Sequence, residues 1–151
     1  MPDIVSPQVR SRMMAGIRGK DTKPEMIVRK GLHAAGFRYR LHVKDIPGKP
    51  DLVFPGRRAV VFVNGCFWHG HDCRFFRMPS TRQEFWSEKI EANKVRDREV
   101  SDRLAREGWR QLVIWECALR GVPESQTAGV IAEAAAWLHD PDGLHEIRGT
   151  V

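Results

Sequence analysis

The chain has 151 residues, 42% of them hydrophobic, which suits one domain with its own hydrophobic core. Its 25 lysines and arginines outnumber its 19 acidic residues, and the net charge of +6 favours a polyanionic partner such as nucleic acid. No apolar run approaches the ~18 residues that span a bilayer, and the first residues lack the features of a signal peptide. We therefore expect a cytoplasmic protein rather than a membrane or secreted one.

Two helices are predicted at the start of the chain. Apolar residues recur at helical spacing over residues 6–19, after a serine and a proline that favour a helix start. The second helix begins at Thr22 and ends at Gly36. Glu25 stands three residues after Thr22, so its simplest interpretation is a capping box rather than a functional carboxylate.

Three strands are predicted next. Residues 37–44 alternate between apolar and basic side chains, so one strand would place four apolar residues on a single face: Phe37, Tyr39, Leu41 and Val43. The opposite face would present the basic residues, His42 among them. Two further strands, 51–54 and 58–63, are separated by a turn at Pro55 and Gly56.

The second half of the chain predicts one more strand between two helices. An irregular segment over 65–79, dense in cysteine, histidine and aromatic residues, precedes a long helix over 80–107. A continuous apolar run over 112–115 indicates a buried strand, and the last helix spans 124–139. The order α-α-β-β-β-α-β-α favours a single domain with one mixed sheet flanked by helices.

A zinc site is predicted from the three cysteines of the chain. Cys66, His71 and Cys73 fall within eight residues of the irregular segment, and Cys117 follows the buried strand. Three thiolates and one imidazole are a common structural zinc set, and a closed shell leaves no position for catalysis. The alternative is that the three cysteines are simply reduced thiols.

A second candidate site surrounds Asp51, at the start of a predicted strand. Antiparallel pairing places Asp51 opposite Phe62 or Val63 of the next strand. A carboxylate with nearby oxygens suits Mg²⁺, and His69 just beyond is suited to accept a proton near neutral pH. The alternative interpretation of Asp51 is an ordinary turn residue before a strand.

Phe67 and Trp68 are adjacent aromatic residues in a glycine-flanked segment. Neighbouring residues of an extended segment do not easily face one core together, so at least one is expected at the surface. Exposed aromatic rings beside basic segments stack on or wedge between bases. The alternative is that both rings pack around the zinc site.

Six sequence motifs together resemble the very-short-patch repair (Vsr-type) DNA mismatch endonucleases. They are Arg10-Ser-Arg-Met-Met, Asp21-Thr, Pro47-Gly-Lys-Pro-Asp51, Gly65-Cys-Phe-Trp-His69, Glu84-Phe-Trp and Trp115-Glu-Cys-Ala-Leu-Arg-Gly121. The resemblance implies a restriction-endonuclease-like αβββαβ core within a single domain over 1–151. It also implies an N-terminal helical arm over about 1–20 that contacts DNA, and a C-terminal helix and tail over about 122–151.

The resemblance implies a bacterial enzyme that nicks double-stranded DNA 5′ of the thymine in a T:G mismatch. Such mismatches arise when 5-methylcytosine deaminates, so a functional link to a cytosine-5 DNA methyltransferase is expected. The protein is expected to act as a monomer.

The resemblance also assigns roles to individual residues. Asp51 would bind Mg²⁺ together with the backbone carbonyl of Val63, and His69 would be the general base. The other implied roles are support of the catalytic site by Glu25 and Asp97, intercalation by Met14, Phe67 and Trp68, and structural zinc binding by Cys66, His71, Cys73 and Cys117.

Asn64 departs from the pattern, because the best-known members have a histidine directly after residue 63. An asparagine offers the metal an oxygen or the phosphate a hydrogen bond, but it does not exchange a proton near neutral pH. Two other functions are compatible with the same residues. One is a nuclease of the same fold with another DNA target, and the other is a zinc-containing DNA-binding module without catalytic activity.

Overall fold

The computed structural model of the chain describes residues 22–149. Its helices and strands are α1 (Lys23–Ala34), β1 (Arg40–Leu41), β2 (Leu52–Phe54), β3 (Ala59–Asn64), α2 (Gln83–Arg106), β4 (Arg110–Trp115), α3 (Glu124–His139) and β5 (Leu144–Ile147). The predicted helix over 6–19, the DNA-contacting arm and Met14 lie outside the described residues.

The described strands form one mixed sheet in the order β1-β2-β3-β4-β5. The pairs β1–β2 and β2–β3 are antiparallel, whereas β3–β4 and β4–β5 are parallel. Parallel neighbours need a long crossover connection, and α2 and α3 supply the two that this sheet requires. The predicted mixed sheet flanked by helices is confirmed.

Helices cover both faces of the sheet. Ala59 and Val61 of β3 face α1 and α3, in a cluster that includes Val28 and Leu138. Val60 lies on the opposite face with Leu104 of α2. Because successive strand residues point to opposite faces, burial on both sides explains why β3 has a continuous apolar sequence.

Helix α1 shows how local sequence determines its two ends. The Thr22 hydroxyl accepts a hydrogen bond from the Glu25 N–H at 3.4 Å, which caps the first turn. Gly36 follows the helix with φ at +98°, a conformation that glycine adopts at little cost. The predicted helix that begins at Thr22 and ends at Gly36 is therefore confirmed. Helix α3 has the bounds that the sequence predicts for the last helix.

The strand predicted over residues 37–44 is wrong in extent. Only Arg40 and Leu41 pair with β2, and His42 takes a φ of +49°, which ends the strand by turning the backbone. The alternation therefore does not place its apolar residues on one face. Phe37 is buried in the α1–α3 cluster, Leu41 is 38% exposed, and Val43 packs on the α2 side of the sheet.

Strand β5 is not predicted by the sequence pattern. Its residues 144–147 continue the sheet beside β4, so the described order is α-β-β-β-α-β-α-β. The long helix begins at Gln83 rather than at Ser80, and β2 begins at Leu52 rather than at Asp51. Across residues 22–149, no helix combines the length and apolar character that a membrane span requires.

Candidate active site

Asp51 lies immediately before β2 and contacts the end of β3. Its Oδ2 accepts a hydrogen bond from the Val63 N–H at 2.7 Å, in agreement with the pairing that the sequence predicts. Burial raises the pKa of Asp51 from 3.8 to about 6, the nearby Glu25 raises it too, and the Val63 hydrogen bond opposes the shift. The carboxylate therefore occupies a position where a cation would stabilise its charged form.

Glu25 reaches the same place from α1. Its side chain is only 2% exposed, and its Oε2 lies 2.9 Å from His42 Nε2 and 3.3 Å from Arg29 Nη1. His42 Nδ1 lies 3.9 Å from Asp51 Oδ1. Although Glu25 occupies the predicted cap position, its carboxylate contacts these groups beside Asp51.

His69 and Asp97 form a hydrogen-bonded pair. The distance from His69 Nδ1 to Asp97 Oδ2 is 2.6 Å, and Asp97 projects from α2. When Nδ1 of a neutral imidazole donates to a carboxylate, the ring keeps its lone pair on Nε2. The contact with Asp97 on α2 fixes the orientation of the ring, and in the tautomer that donates from Nδ1 the proton acceptor is Nε2.

A cleft of about 1060 Å³ contains both groups of side chains. Glu25, Asp51, His69 and Asp97 all line it, together with Asn64 at the end of β3. Basic residues line the same cleft: Lys49, Arg96, Arg98 and Arg120. Carboxylates and an imidazole surrounded by cationic side chains form a site suited to a phosphodiester with a bound cation.

Phe67 and Trp68 pack into an aromatic cluster with α2 rather than around the cysteines. The Trp86 ring centroid lies 5.4 Å from Phe67 and 5.8 Å from Trp68, and Phe76 lies 6.0 Å from Phe67. Trp68 is 8% exposed, whereas Phe67 is only partly buried. The expectation that at least one ring lies near the surface therefore fits Phe67.

The four predicted zinc ligands converge on one point. The sulfur atoms of Cys66, Cys73 and Cys117 and a ring nitrogen of His71 all lie within 4.8 Å of one another. The Cys117 N–H donates to Cys66 Sγ at 3.3 Å, and the Gly149 N–H donates to Cys117 Sγ at 3.3 Å. Backbone donors directed at sulfur stabilise thiolates.

Neighbouring groups fix the orientation of the His71 ring. The ring stacks on Trp115 with centroids 4.0 Å apart, and Nε2 lies 3.9 Å from Asp72 Oδ1. Arg148 holds Asp72 by donating to that oxygen at 2.7 Å. Burial lowers the pKa of His71, which favours the neutral ring that a metal ligand requires.

The donor set of this cluster fits a zinc ion. Three cysteine sulfurs and one imidazole match a tetrahedral structural site, and Cys66 and Cys117 are both buried. Burial raises the pKa of both thiols, because thiolates in an apolar pocket are unfavourable without a cation. A divalent cation would supply that compensation.

Comparison with known proteins identifies relatives of this chain, and their names agree with a site that acts on DNA. The family model described as DNA mismatch endonuclease Vsr matches residues 2–75. A Type II nicking enzyme, V.XorIIP of Xanthomonas oryzae, is 54% identical over 119 residues, covering 79% of this chain and 88% of the relative. The DNA mismatch endonuclease Vsr of Escherichia coli is 39% identical over 153 aligned residues, covering 96% and 98%. The chain belongs to the Vsr family.

As a Vsr family member, the protein is an endonuclease, a hydrolase that acts on DNA in repair. A third relative, the Type II nicking enzyme V.NmeAIP of Neisseria meningitidis, is 44% identical over 120 residues, covering 80% of this chain and 86% of its own. The family that the sequence motifs suggest is therefore confirmed.

Three side chains of this Vsr site are not predicted by the sequence patterns: Glu116, Trp86 and His42. Glu116 accepts a hydrogen bond from the Cys66 N–H at 3.2 Å, and Trp86 completes the aromatic cluster. Both residues lie within family motifs, Trp86 in Glu84-Phe-Trp and Glu116 directly after Trp115, and these positions are the sequence signal for them. His42 had no such signal, because the alternation of residues 37–44 assigns it to an exposed strand face.

Gly149 provides a test of how tightly the C-terminal segment packs on the cysteine cluster. A Cβ at Gly149 would lie 2.2 Å from the Cys117 carbonyl oxygen, so alanine there must displace the segment. We expect Gly149→Ala to lower the free energy of unfolding by about 2 kcal/mol, measured as a fall in Tm of several degrees.

Gly129→Ala is the matched control for this substitution. Gly129 lies in α3 with nothing within 4 Å of an added Cβ, so alanine should stabilise the helix by roughly 0.5–1 kcal/mol. Equal Tm values for the parent and the Gly149→Ala protein would show that the close packing of Gly149 on Cys117 does not contribute to stability.

Proposed function

We propose that this protein nicks double-stranded DNA on the 5′ side of the thymine in T:G mismatches. Such mismatches arise from deaminated 5-methylcytosine, and the nick would initiate very short patch repair. The observation that carries the proposal is that Asp51 and the His69–Asp97 pair line one cleft. Membership of the Vsr family and the sheet order support a restriction-endonuclease-like core around this cleft.

Asp51 and the backbone carbonyl of Val63 would hold the catalytic Mg²⁺. In an extended strand the N–H and C=O of one residue face the same side. Since the Val63 N–H donates to Asp51, the Val63 carbonyl faces Asp51 as well. When bound, Mg²⁺ supplies Lewis-acid stabilisation of the phosphate charge and lowers the pKa of water.

The remaining residues of the cleft would position and deprotonate water. His69 Nε2 accepts the proton, and Asp97 keeps that nitrogen in its accepting form through the 2.6 Å bond to Nδ1. Glu25 supports the charge of the site from α1. Asn64, at the end of β3, would offer its amide to the metal or to a phosphate oxygen.

Zinc would have a structural role. Cys66, His71, Cys73 and Cys117 join the irregular segment over 65–79 to the end of β4. His69 and the aromatic cluster belong to the same segment. A closed zinc shell would therefore hold the general base and Phe67 in place without taking part in the reaction.

A mapped nicking assay tests the proposed function. End-labelled duplexes that differ only in carrying T:G, C:G or a branch are incubated with and without Mg²⁺, and the nick is located to one nucleotide. We expect Mg²⁺-dependent nicking of the T:G duplex 5′ of thymine. Cleavage of matched or branched DNA alone would favour another nuclease target, and binding without cleavage would favour a non-catalytic module.

A related function follows from the names of two relatives. V.XorIIP and V.NmeAIP are named Type II nicking enzymes, which suggests a partnership with a modification methyltransferase. For this chain, we propose a functional link to a cytosine-5 DNA methyltransferase. Varying the bases around the T:G pair tests it, because the preferred context should contain that methyltransferase's target sequence.

Phe67 and Trp68 are proposed to wedge into the DNA beside the mismatch. Opening a base step costs unstacking energy, which is lower at a mispaired step. We expect the Phe67→Ala, Trp68→Ala double variant to lose about tenfold of its T:G over C:G preference in single-turnover nicking, since base–aromatic stacking contributes ~1–3 kcal/mol.

Phe85→Ala is the control for this prediction. Phe85 is 41% exposed and touches the same cluster, with its ring centroid 5.1 Å from Trp86. Trp68 is buried, so thermal melts must first show that the double variant is folded. An undiminished preference in the folded double variant would exclude the wedge as the mismatch reader.

A further inference from the structure

Three side chains from separate segments meet beside the cleft, and two of them, Glu25 and Asp51, line it. One ligand atom from each of Glu25, His42 and Asp51 lies within 4.8 Å of the others. The distance from Glu25 Oε2 to His42 Nε2 is 2.9 Å. Two ligands at about 2.1 Å from one metal and at right angles lie about 3 Å apart, so the separation of Glu25 and His42 matches that of two metal ligands. Asp51 Oδ1 lies somewhat farther away, 3.9 Å from His42 Nδ1.

The backbone of His42 places its side chain beside Glu25 and Asp51. His42 takes a φ of +49°, and its N–H donates to the Asp51 carbonyl at 3.2 Å. A left-handed conformation costs a non-glycine residue about 1–2 kcal/mol, yet it ends β1 here. An extended residue in this place would continue the alternation of the strand. The positive φ and the hydrogen bond fix His42 beside Asp51.

The charge of the site also favours a cation. Glu25 is 2% exposed and the Asp51 side chain 22% exposed, so two carboxylates share a largely buried space. Arg29 lies 3.3 Å from Glu25 and balances one of them. Buried carboxylates need compensating charge, and a divalent cation between Asp51 and Glu25 would provide it.

We propose that His42 is a side-chain ligand of the metal site beside Asp51, and that Glu25 is a ligand there too. Together, Glu25, His42 and Asp51 form a mixed imidazole–carboxylate site that binds a transition-metal dication such as Mn²⁺ more tightly than Mg²⁺. Imidazole nitrogen is a better ligand for transition-metal ions, whereas Mg²⁺ prefers oxygen. This inference rests on the proposed function, because it extends the metal site of Asp51.

Mn²⁺ is the probe for the test, because its electron spin reports both binding and directly bound nitrogen. Zinc-replete protein without DNA is titrated with Mn²⁺, alone and in competition with Mg²⁺. Pulsed electron paramagnetic resonance then measures ¹⁴N coupling to the bound ion. We expect one Mn²⁺ at this site, with clear ¹⁴N coupling and a stronger affinity than that for Mg²⁺.

Three histidine variants identify the nitrogen. His42→Gln is expected to weaken Mn²⁺ binding by on the order of tenfold, to change Mg²⁺ binding little, and to abolish the ¹⁴N coupling. His69→Gln should retain the coupling. His145→Gln is the matched control, because His145 pairs with Glu133 at 2.8 Å on an exposed surface. It should change neither measurement.

The competing explanation is that a protonated His42 merely bridges the two carboxylates. It predicts either that Mn²⁺ binds without ¹⁴N coupling or that the coupling survives in His42→Gln. Either result overturns the inference. An absence of Mn²⁺ binding overturns it as well. If His42→Gln does not fold, the ¹⁴N coupling is compared between the parent and His69→Gln. Coupling in both proteins supports His42 as the ligand, and its absence from the parent overturns the inference. Failure of the proposed function is separate: the parent would not nick T:G duplexes in Mg²⁺.

Discussion

Replacing Asp51 with asparagine is expected to reduce Mg²⁺-dependent nicking at least about a thousandfold. The amide cannot replace the charge of the carboxylate towards a dication, and a loss of roughly 4 kcal/mol of transition-state stabilisation has this effect on rate. Duplex affinity should stay within a few-fold of the parent, because Lys and Arg contacts to phosphates supply most of it. Single-turnover nicking and equilibrium binding measure the two separately.

The folded state should tolerate this substitution well. Burial raises the pKa of Asp51 to about 6, so above that pH the charged carboxylate destabilises the folded protein when no metal is bound. The destabilisation develops as pH rises from the unfolded pKa through the folded one. An asparagine does not ionise. At neutral pH without Mg²⁺, the Tm of the Asp51→Asn protein should therefore equal or exceed that of the parent.

Two variants serve as controls for the Asp51 result. Asp102→Asn changes an exposed carboxylate on α2 and should leave nicking unchanged. Asn64→Ala should retain more activity than Asp51→Asn, because water replaces a neutral oxygen donor more readily than a metal-binding carboxylate. Parallel loss of binding and nicking in Asp51→Asn would instead indicate that Asp51 has a structural role.

Local signals in the sequence were sufficient for much of the fold. The bounds of α3 follow from its apolar periodicity, and the end of α1 follows from Gly36. β5 could not be predicted in this way, because its four residues become a strand only by pairing with the edge of β4. Such pairing depends on tertiary structure rather than on local propensity.

Some features of the candidate site also follow from the sequence, whereas others depend on the tertiary structure. The pairing of Asp51 with Val63 follows from hairpin register, and the cysteine cluster follows from residue types that have few other uses in a reducing environment. The place of His42 depends on a single left-handed residue, which no alternation pattern encodes. The sequence pattern predicts a capping role for Glu25, but its carboxylate contacts His42, a partner that only the tertiary structure brings close.

The second large effect is expected from the cysteine cluster. Cys117→Ala should abolish the proposed zinc binding and lower Tm by roughly 10 °C or more, because a structural zinc site contributes several kcal/mol to folding. The cluster joins the irregular segment to the end of β4, so loss of one ligand should also loosen His69 and the aromatic residues. Metal analysis and thermal unfolding measure the two consequences.

Cys117→Ser separates metal binding from packing. Serine nearly keeps the volume of cysteine but is a poor zinc ligand, so it should lose zinc as alanine does. In the parent, substitution by Co²⁺ should produce the sulfur-to-metal charge-transfer bands of a tetrahedral thiolate site, and both variants should lack them. If the cysteines were only reduced thiols, the freshly purified parent protein would contain no zinc. Cys117→Ala would then lower the free energy of unfolding only by the amount expected for the small cavity left by the missing sulfur atom of this buried residue.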